Sequence, residues 1–243
     1  MKKLILPAVV LVAINLIPFH ALPAMAGAAE DLPSADEIVR RYVEASGGRE
    51  AIESLNTRVS VGRLIHDLSW KVPPREVVPF AAYAAVPGRV LMVEHMGEGT
   101  RCEGFDGRTT WVQDAGGIRS KDEPFRSKTA WLFDPQGALR IEVYFPGLEV
   151  TSRKTTAGRM VYLLESPGLD PAHHALSFDA ETGLLTGIGY YWSILDYREV
   201  DGIKVPHRVE MSRKGGSSTF VFDLVKHNLP FEDVLFNEPA SLR

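Results

Sequence analysis

Residues 194–213 read ILDYREVDGIKVPHRVEMSR, and this stretch decides the class of fold. Asp201-Gly202 stands between two extended runs and predicts a β-hairpin, because a type I′ turn needs positive φ at both central residues. After the turn, side chains alternate with period 2, as in a strand with one buried face. The stretch therefore predicts antiparallel sheet. The set that we expect on one face of the strand comprises Val205, His207, Val209 and Met211.

The same pattern continues on both sides of this hairpin. Residues 158–210 read as a β-meander with a second turn at residues 179–183, and Asp106-Gly107 predicts another hairpin. A final strand is predicted over Thr219–Asn228, with Phe220, Phe222 and Leu224 on one face. Together these patterns predict about ten strands.

Three segments depart from the repeating hairpins. Residues 70–79 contain three prolines, which cannot donate to a ladder, so they predict an edge or a loop. Residues 121–137 predict a short helix or an ordered loop across the sheet, and Ala138–Phe145 predicts a return to extended structure.

Two helices are predicted before the first strand, which we place at Arg58–Asp67. Ser34 and Glu37 have the spacing of a capping box, and the helix that follows runs to about Ser46. Gly47-Gly48 ends it, and a second short helix covers Glu50–Leu55. We expect these helices to cover one mouth or face of the sheet.

Several strands are apolar on both faces, most clearly residues 160–164, MVYLL. A strand of this kind is covered on both sides, which favours a wide sheet curled around a helix or an apolar cavity. The predicted fold class is therefore α+β with mainly antiparallel β structure.

The N-terminus has the features of a secretory signal peptide over residues 1–26. Lys2-Lys3 precedes an apolar run, and Ala24-Met25-Ala26 is an A-x-A cleavage site. We expect the mature chain, residues 27–243, to be a single soluble periplasmic domain. The full sequence has a net charge of −4, which excludes a basic nucleic-acid footprint, and its only cysteine, Cys102, excludes an internal disulfide.

The order of these motifs resembles the LolA/LolB-like outer-membrane lipoprotein-sorting superfamily, and in particular its broad branch of secreted proteins. The resemblance rests on the helix with Gly-Gly, the run GFDGRTTW at residues 104–111, SFDAETGLL at 177–185 and DYREVDGIKVPHR at 196–208. It implies a strongly curved, incomplete β-barrel with helices covering its open side. It also implies a lid held by an arginine, for which Arg58 and Arg63 are candidates.

From this resemblance we expect a non-enzymatic periplasmic carrier that holds a lipid, a lipoprotein or another apolar ligand, with no cofactor. An alternative is an envelope-stress sensor of the same fold that binds a membrane partner protein. The residues expected to line the ligand cavity are Val61, Met92, Trp111, Tyr144, Tyr162, Tyr190 and Trp192.

A hydrolase is a third interpretation, with His66, His95 and nearby acids as its site. No Gly-x-Ser-x-Gly elbow supports it. His173-His174 near Asp170 could begin a metal site, but adjacent residues of a strand point to opposite faces, so we predict no metal.

Overall fold

A computed structural model describes residues 32–70, 73, 75–97, 99–121 and 128–240, so the predicted signal peptide lies outside the described residues. The helices are α1 (Ala35–Ala45), α2 (Arg49–Glu53), α3 (Lys128–Phe133), α4 (Ile141–Tyr144), α5 (Pro171–His174) and the 3-10 helix η1 (Asp233–Phe236). The strands are β1 (Thr57–Leu68), β2 (Arg75–Ala85), β3 (Arg89–Met96), β4 (Gly99–Phe105), β5 (Thr110–Asp114), β6 (Gly117–Lys121), β7 (Glu149–Thr156), β8 (Arg159–Glu165), β9 (Leu176–Asp179), β10 (Leu185–Ile188), β11 (Trp192–Val200), β12 (Ile203–Arg213) and β13 (Gly216–His227).

Thirteen strands form one sheet in the order β6-β5-β4-β3-β2-β1-β13-β12-β11-β10-β9-β8-β7, and the pairs are antiparallel. The strands β1 and β13 form the centre, and a meander runs outward from each of them. Within the described residues β6 and β7 are the two edge strands and do not pair with each other, so the barrel is open. The predicted fold class is confirmed, with more strands than the sequence indicated.

Local turn chemistry explains the hairpins. Asp201 and Gly202 have φ of 53° and 77°, so both central residues of the β11–β12 turn are left-handed, as predicted. In the β4–β5 turn, the carboxylate of Asp106 accepts from the backbone N–H groups of Arg108 and Thr109 at 2.7 and 2.8 Å. An acceptor that satisfies two turn donors fixes the loop without help from distant residues.

The N-terminal helices pack on one end of the sheet. The Ser34 hydroxyl accepts from the Glu37 N–H at 3.2 Å, which confirms the predicted start of α1. Arg41 donates to the Ala180 carbonyl at 2.8 Å, and the Lys204 N–H donates to the Ser46 carbonyl at 2.9 Å. Both contacts join the helices to turns at the same end of the strands.

The main core lies on one face of the sheet, called the inner face here. It carries Phe80, Met92, Val209 and Phe220, and it is covered by α1, α2 and the segment that contains α3 and α4. A smaller cluster lies on the outer face, where Trp111 packs with Phe236 from η1. The Trp111 indole N–H donates to the Phe236 carbonyl at 2.9 Å, which holds the C-terminal tail against the sheet.

A β-bulge corrects one sequence prediction about β13. Val61 pairs with Leu224 but Gly62 pairs with Phe222, so Asp223 is an extra residue in the ladder. Because one extra residue reverses the alternation of side chains, Leu224 faces outward and is 46% exposed. The inner face therefore continues from Phe222 through Val225 to His227 rather than through Leu224.

Two segment predictions need correction as well. Ala138–Phe145, predicted as extended, contains the helix α4. In residues 70–79, the strand β2 begins at Arg75, whereas its ladder with β3 runs from Phe80 to Ala85. Pro79 therefore lies on a stretch of β2 that pairs with β1 alone, which fits the confinement of proline to the edges of sheets.

Candidate functional site

The segment from residue 128 to residue 148, called the crossing segment here, covers the inner face. Four consecutive side chains, Ala130 to Phe133, are buried, and Ile141 and Phe145 are buried farther along. The crossing segment joins β6 at one edge of the sheet to β7 at the other. It therefore packs across the inner face between the two edge strands of the open sheet.

Phe133 is the aromatic anchor of the crossing segment. Its ring lies 6.2 Å from Phe80, 6.0 Å from Phe220 and 5.9 Å from Phe222, all in edge-to-face geometry. The three partners belong to β2 and β13 and contact one another, with centroid distances of 5.3 to 6.1 Å. They form an apolar platform on the inner face, and Phe133 occupies it.

Arg58, at the start of β1, contacts the crossing segment from the inner face of the sheet. It is 7% exposed, and its guanidinium donates to the Leu132 carbonyl at 3.3 Å. Burial lowers the pKa of Arg58 to about 10, although the charges of Asp134 and Tyr42 counter the shift. The residue is thus a buried cation that binds the crossing segment through a backbone carbonyl.

His227 and Asp201 continue this contact to the β11–β12 turn. The Arg58 Nε–H donates to His227 Nε2 at 3.2 Å, and His227 Nδ1 lies 3.1 Å from an Asp201 carboxylate oxygen. A ring that accepts at Nε2 carries its proton on Nδ1 and donates it to Asp201. Burial and the charge of Arg58 lower the pKa of His227 to about 4, against the opposing effect of Asp201, so the ring is neutral at pH 7.

Asp134 organises the turn between α3 and α4. Its side chain is fully buried and accepts from Arg140 at 2.7 Å, from the Tyr144 hydroxyl at 2.6 Å and from the Gln136 N–H at 2.9 Å. Burial, followed by the charge of Asp134, raises the pKa of Tyr144 well above its usual range. Gln136 in turn donates to the Leu55 carbonyl at 2.9 Å, which joins the crossing segment to the end of α2.

A small cleft of about 30 Å³ remains beside Arg58, lined also by Tyr42, Trp131 and Ile203. The Trp131 indole N–H is buried and finds no acceptor among the described residues. An unmatched buried donor of this kind costs about 1–3 kcal/mol. The packing of the crossing segment therefore leaves one buried donor without an acceptor among the described residues.

The seven residues predicted to line a cavity do not come together on one surface. Met92 is in the main core, and Tyr144, Tyr162 and Trp192 pack against it. Trp111 belongs to the outer-face cluster. The two that the structure leaves exposed are Val61, at 40%, and Tyr190, at 67%.

The two candidate arginines separate clearly. Arg58 faces inward and contacts the crossing segment, whereas Arg63 lies on the outer face in an exposed pair with Asp223. Sequence patterns did not single out Phe133, Asp134 or His227. Phe133 lies in the run Trp131-Leu132-Phe133, whose apolar character between polar flanks was the available signal.

The histidines named for a hydrolase or a metal lie apart. His66 is on β1, with its Nδ1 2.7 Å from the Ser218 hydroxyl, and His95 is on β3, beyond the intervening β2. His173 and His174 belong to α5 rather than to the strand that we predicted. Across the described ranges, no group of three His, Cys, Asp or Glu side chains is placed to hold a metal ion.

Comparison with known proteins identifies the fold. No family model and no curated protein matches the sequence. A LolA superfamily protein from Nitrosomonas europaea superposes with a TM-score of 0.58 at 11% identity, covering 85% of this chain and 99% of that one. The chain has the LolA-like fold. The predicted resemblance is thereby confirmed at the level of structure.

Two further solved structures share the LolA-like fold. A DUF1329 family protein from Desulfovibrio piger has a TM-score of 0.56 at 12% identity, covering 83% of this chain and 96% of that one. A putative outer membrane lipoprotein-sorting protein domain from Vibrio parahaemolyticus has a TM-score of 0.50 at 13% identity, covering 83% and 95%. Among the described residues of this chain, no helix has the length and apolar character needed to cross a membrane.

Proposed function

We propose that this protein is a periplasmic carrier that binds a lipid or the acyl chain of a lipidated ligand on the inner face of its sheet. The observation that supports this proposal most directly is the contact of Phe133 with Phe80, Phe220 and Phe222. When the crossing segment moves away, this platform becomes an apolar binding surface. The ligand and the crossing segment then compete for the same place.

The energetics of such an exchange are balanced. Each CH₂ group of an acyl chain gains about 0.8 kcal/mol when it leaves water, so a long chain can replace the apolar contacts of Ala130 to Phe133. The platform needs no directional chemistry for this purpose. A surface of this kind accepts chains of various lengths and headgroups of various types.

The closed arrangement carries two costs that opening would relieve. Arg58 is a buried cation whose direct partners are a carbonyl and a neutral imidazole, and the Trp131 N–H lacks an acceptor among the described residues. Hydration of either group stabilises an open state relative to the closed one. The crossing segment is therefore well packed but replaceable, as a lid over a carrier site has to be.

Fluorescence measurements on the purified protein test the proposal. We expect saturable binding of a fluorescent fatty acid that unlabelled palmitate displaces. Because Trp131 is buried in the crossing segment, we also expect ligand to increase acrylamide quenching of tryptophan. The increase should disappear in Trp131→Phe and persist in Trp111→Phe, a control in which the replaced indole is similarly buried but on the outer face.

Each outcome bears on a different part of the proposal. Absence of saturable binding would overturn the carrier and leave the alternative of a regulatory, partner-binding protein. Binding without any change in Trp131 accessibility would show that the ligand lies elsewhere and would overturn the exchange with the crossing segment.

A further inference from the structure

The exposed aromatic side chains of this protein are concentrated at one end of the sheet. Among the described residues, three aromatic side chains are exposed, namely Trp70 at 57%, Tyr190 at 67% and Tyr191 at 43%. Tyr190 and Tyr191 lie in the turn between β10 and β11, and Trp70 follows the end of β1. Exposed aromatic residues with no shared role would be scattered over the surface, whereas these three lie together at one end of the sheet.

The strand register places these turns on the same rim. Leu68, at the end of β1, pairs with Gly216 at the start of β13, and Arg213, at the end of β12, pairs with Gly216 as well. Met211 near that end pairs with Trp192, which follows the two tyrosines. The ends of β1, β12 and β10 are thus aligned, on the side opposite the turn at Asp201. We call Trp70, Tyr190 and Tyr191, with Arg213 and Lys214, the aromatic rim.

The backbone holds the aromatic rim in its exposed position. The Tyr190 N–H donates to the Ala172 carbonyl at 3.0 Å, and the Ser212 N–H donates to the Tyr191 carbonyl at 2.7 Å. A Cβ added to Gly215 would lie 2.8 Å from the Trp70 ring, so the indole packs directly on the β12–β13 turn. The rings are therefore fixed on their turns, and a rigid display costs little entropy when it binds.

The charge of the aromatic rim indicates what it contacts. Arg213 donates to the Ser218 hydroxyl, and Lys214 beside it is exposed; neither forms an ion pair with a described carboxylate. The acids near this end are engaged, since Asp67 pairs with Arg75 and Asp170 caps α5 beside His173. Cations next to Trp and Tyr rings match an anionic lipid headgroup layer, where those rings are favoured at the boundary with the acyl chains.

We propose that the aromatic rim docks the protein on the surface of an anionic lipid bilayer. The proposal extends the carrier function, on which its biological purpose rests. Passage of an acyl chain through water is unfavourable, so the chain is best exchanged in contact with a membrane. The rings enter the interface while Arg213 and Lys214 face the phosphate groups. The three rings stand on two different connections of the sheet, Tyr190 and Tyr191 between β10 and β11 and Trp70 after β1, which suits a fluid lipid surface better than a single protein groove.

Vesicle binding tests the aromatic rim directly. We expect the purified protein to co-sediment with vesicles that contain phosphatidylglycerol and to bind pure phosphatidylcholine less. Replacement of the rim aromatics by Trp70→Ser, Tyr190→Ser and Tyr191→Ser should abolish this binding. The matched control replaces three comparably exposed apolar residues of other surfaces, with Val61→Ser, Leu195→Ser and Leu224→Ser, and should bind as the wild type does.

A single charge and a single indole give independent measurements. Lys214→Gln should weaken binding to phosphatidylglycerol vesicles by roughly fivefold and leave binding to phosphatidylcholine unchanged. The Trp70 emission should shift to the blue when vesicles are added, because this indole then leaves water. Fatty-acid binding by the rim variant should equal that of the wild type, since the inner face is intact.

The proposal is overturned if the wild type binds neither type of vesicle, or if the rim variant sediments as well as the control variant does. In either case, unchanged fatty-acid binding would leave the carrier function standing. Loss of fatty-acid binding with retained vesicle binding would reject the carrier function alone.

Discussion

Truncation of the aromatic anchor, Phe133→Ala, should make the protein less stable and a better binder at the same time. The ring is 1% exposed and contacts three other rings, so its removal should lower the free energy of unfolding by about 3–5 kcal/mol. The lost contacts belong to the crossing segment, and opening of this segment breaks them in the wild type too. The mutation therefore also lowers, by most of this amount, the free energy that favours the closed position of the crossing segment over the open one.

The effect on affinity follows from the populations of the closed and open states. Apparent affinity is the intrinsic affinity multiplied by the fraction of molecules that are open, and about 1.4 kcal/mol changes the ratio of open to closed molecules tenfold. A loss of about 3 kcal/mol raises the open population roughly 100-fold, and affinity for a fatty acid rises by the same factor until the open state dominates. We expect an increase between about tenfold and 100-fold, measured by titration with the fluorescent fatty acid, alongside urea unfolding.

Phe236→Ala is the matched control, because Phe236 is fully buried but lies in the outer-face cluster. It should lower stability by a comparable amount and leave fatty-acid affinity unchanged. Equal affinities in the two variants, or weaker binding by Phe133→Ala, would refute the competition between ligand and crossing segment.

Three further predictions concern the surroundings of the site. The pKa of His227 is about 4 in the folded protein against 6.5 in the unfolded chain. The neutral ring therefore contributes its full stability above pH 6.5, and the free energy of unfolding falls by up to ~3 kcal/mol as the pH drops to about 4. Urea titrations at several pH values should show this loss, and His227→Gln should remove it. Asp134→Asn should cost about 3 kcal/mol in urea unfolding because it leaves the partly buried Arg140 without its charge partner, and an unchanged midpoint would contradict the importance of that pair. A Cβ at Gly104 would overlap the Trp111 ring, so Gly104→Ala should displace the indole and increase proteolysis of the C-terminal tail. The control is Gly158→Ala, at an open but left-handed turn position, which should leave the tail protected.

The sequence predicted the parts of the fold that depend on neighbouring residues. Positive φ at Asp201 and Gly202, the Ser34 cap of α1 and the strand alternation around Val209 each arise from interactions over a few residues. Such interactions are the same in an isolated peptide as in the folded chain, so their patterns can be recognised directly. The resemblance to the LolA-like superfamily added the curvature and openness of the sheet, which the structure confirms.

The residues of a binding site stay a prediction, because strand alternation gives two sets of side chains without saying what covers each set. Met92 and Trp111 both looked suitable for a cavity, but they lie on opposite faces of the sheet. The bulge opposite Gly62 also reversed the alternation of β13, which concealed the inward position of His227. A bulge depends on the partner strand, and Arg58 on that strand is 169 residues away from His227.

The sequence by itself thus determined the antiparallel hairpins, the helix caps and the class of fold, because each is encoded by turn geometry and by the period of buried side chains. The sequence also predicted a segment across the sheet, but tertiary structure alone decided which face this segment covers and that Phe133 sits on the rings of β2 and β13. It also decided that Arg58, Leu132 and His227 meet. Contacts between residues so distant in sequence exist only after the sheet has curved around its core, so no local pattern records them.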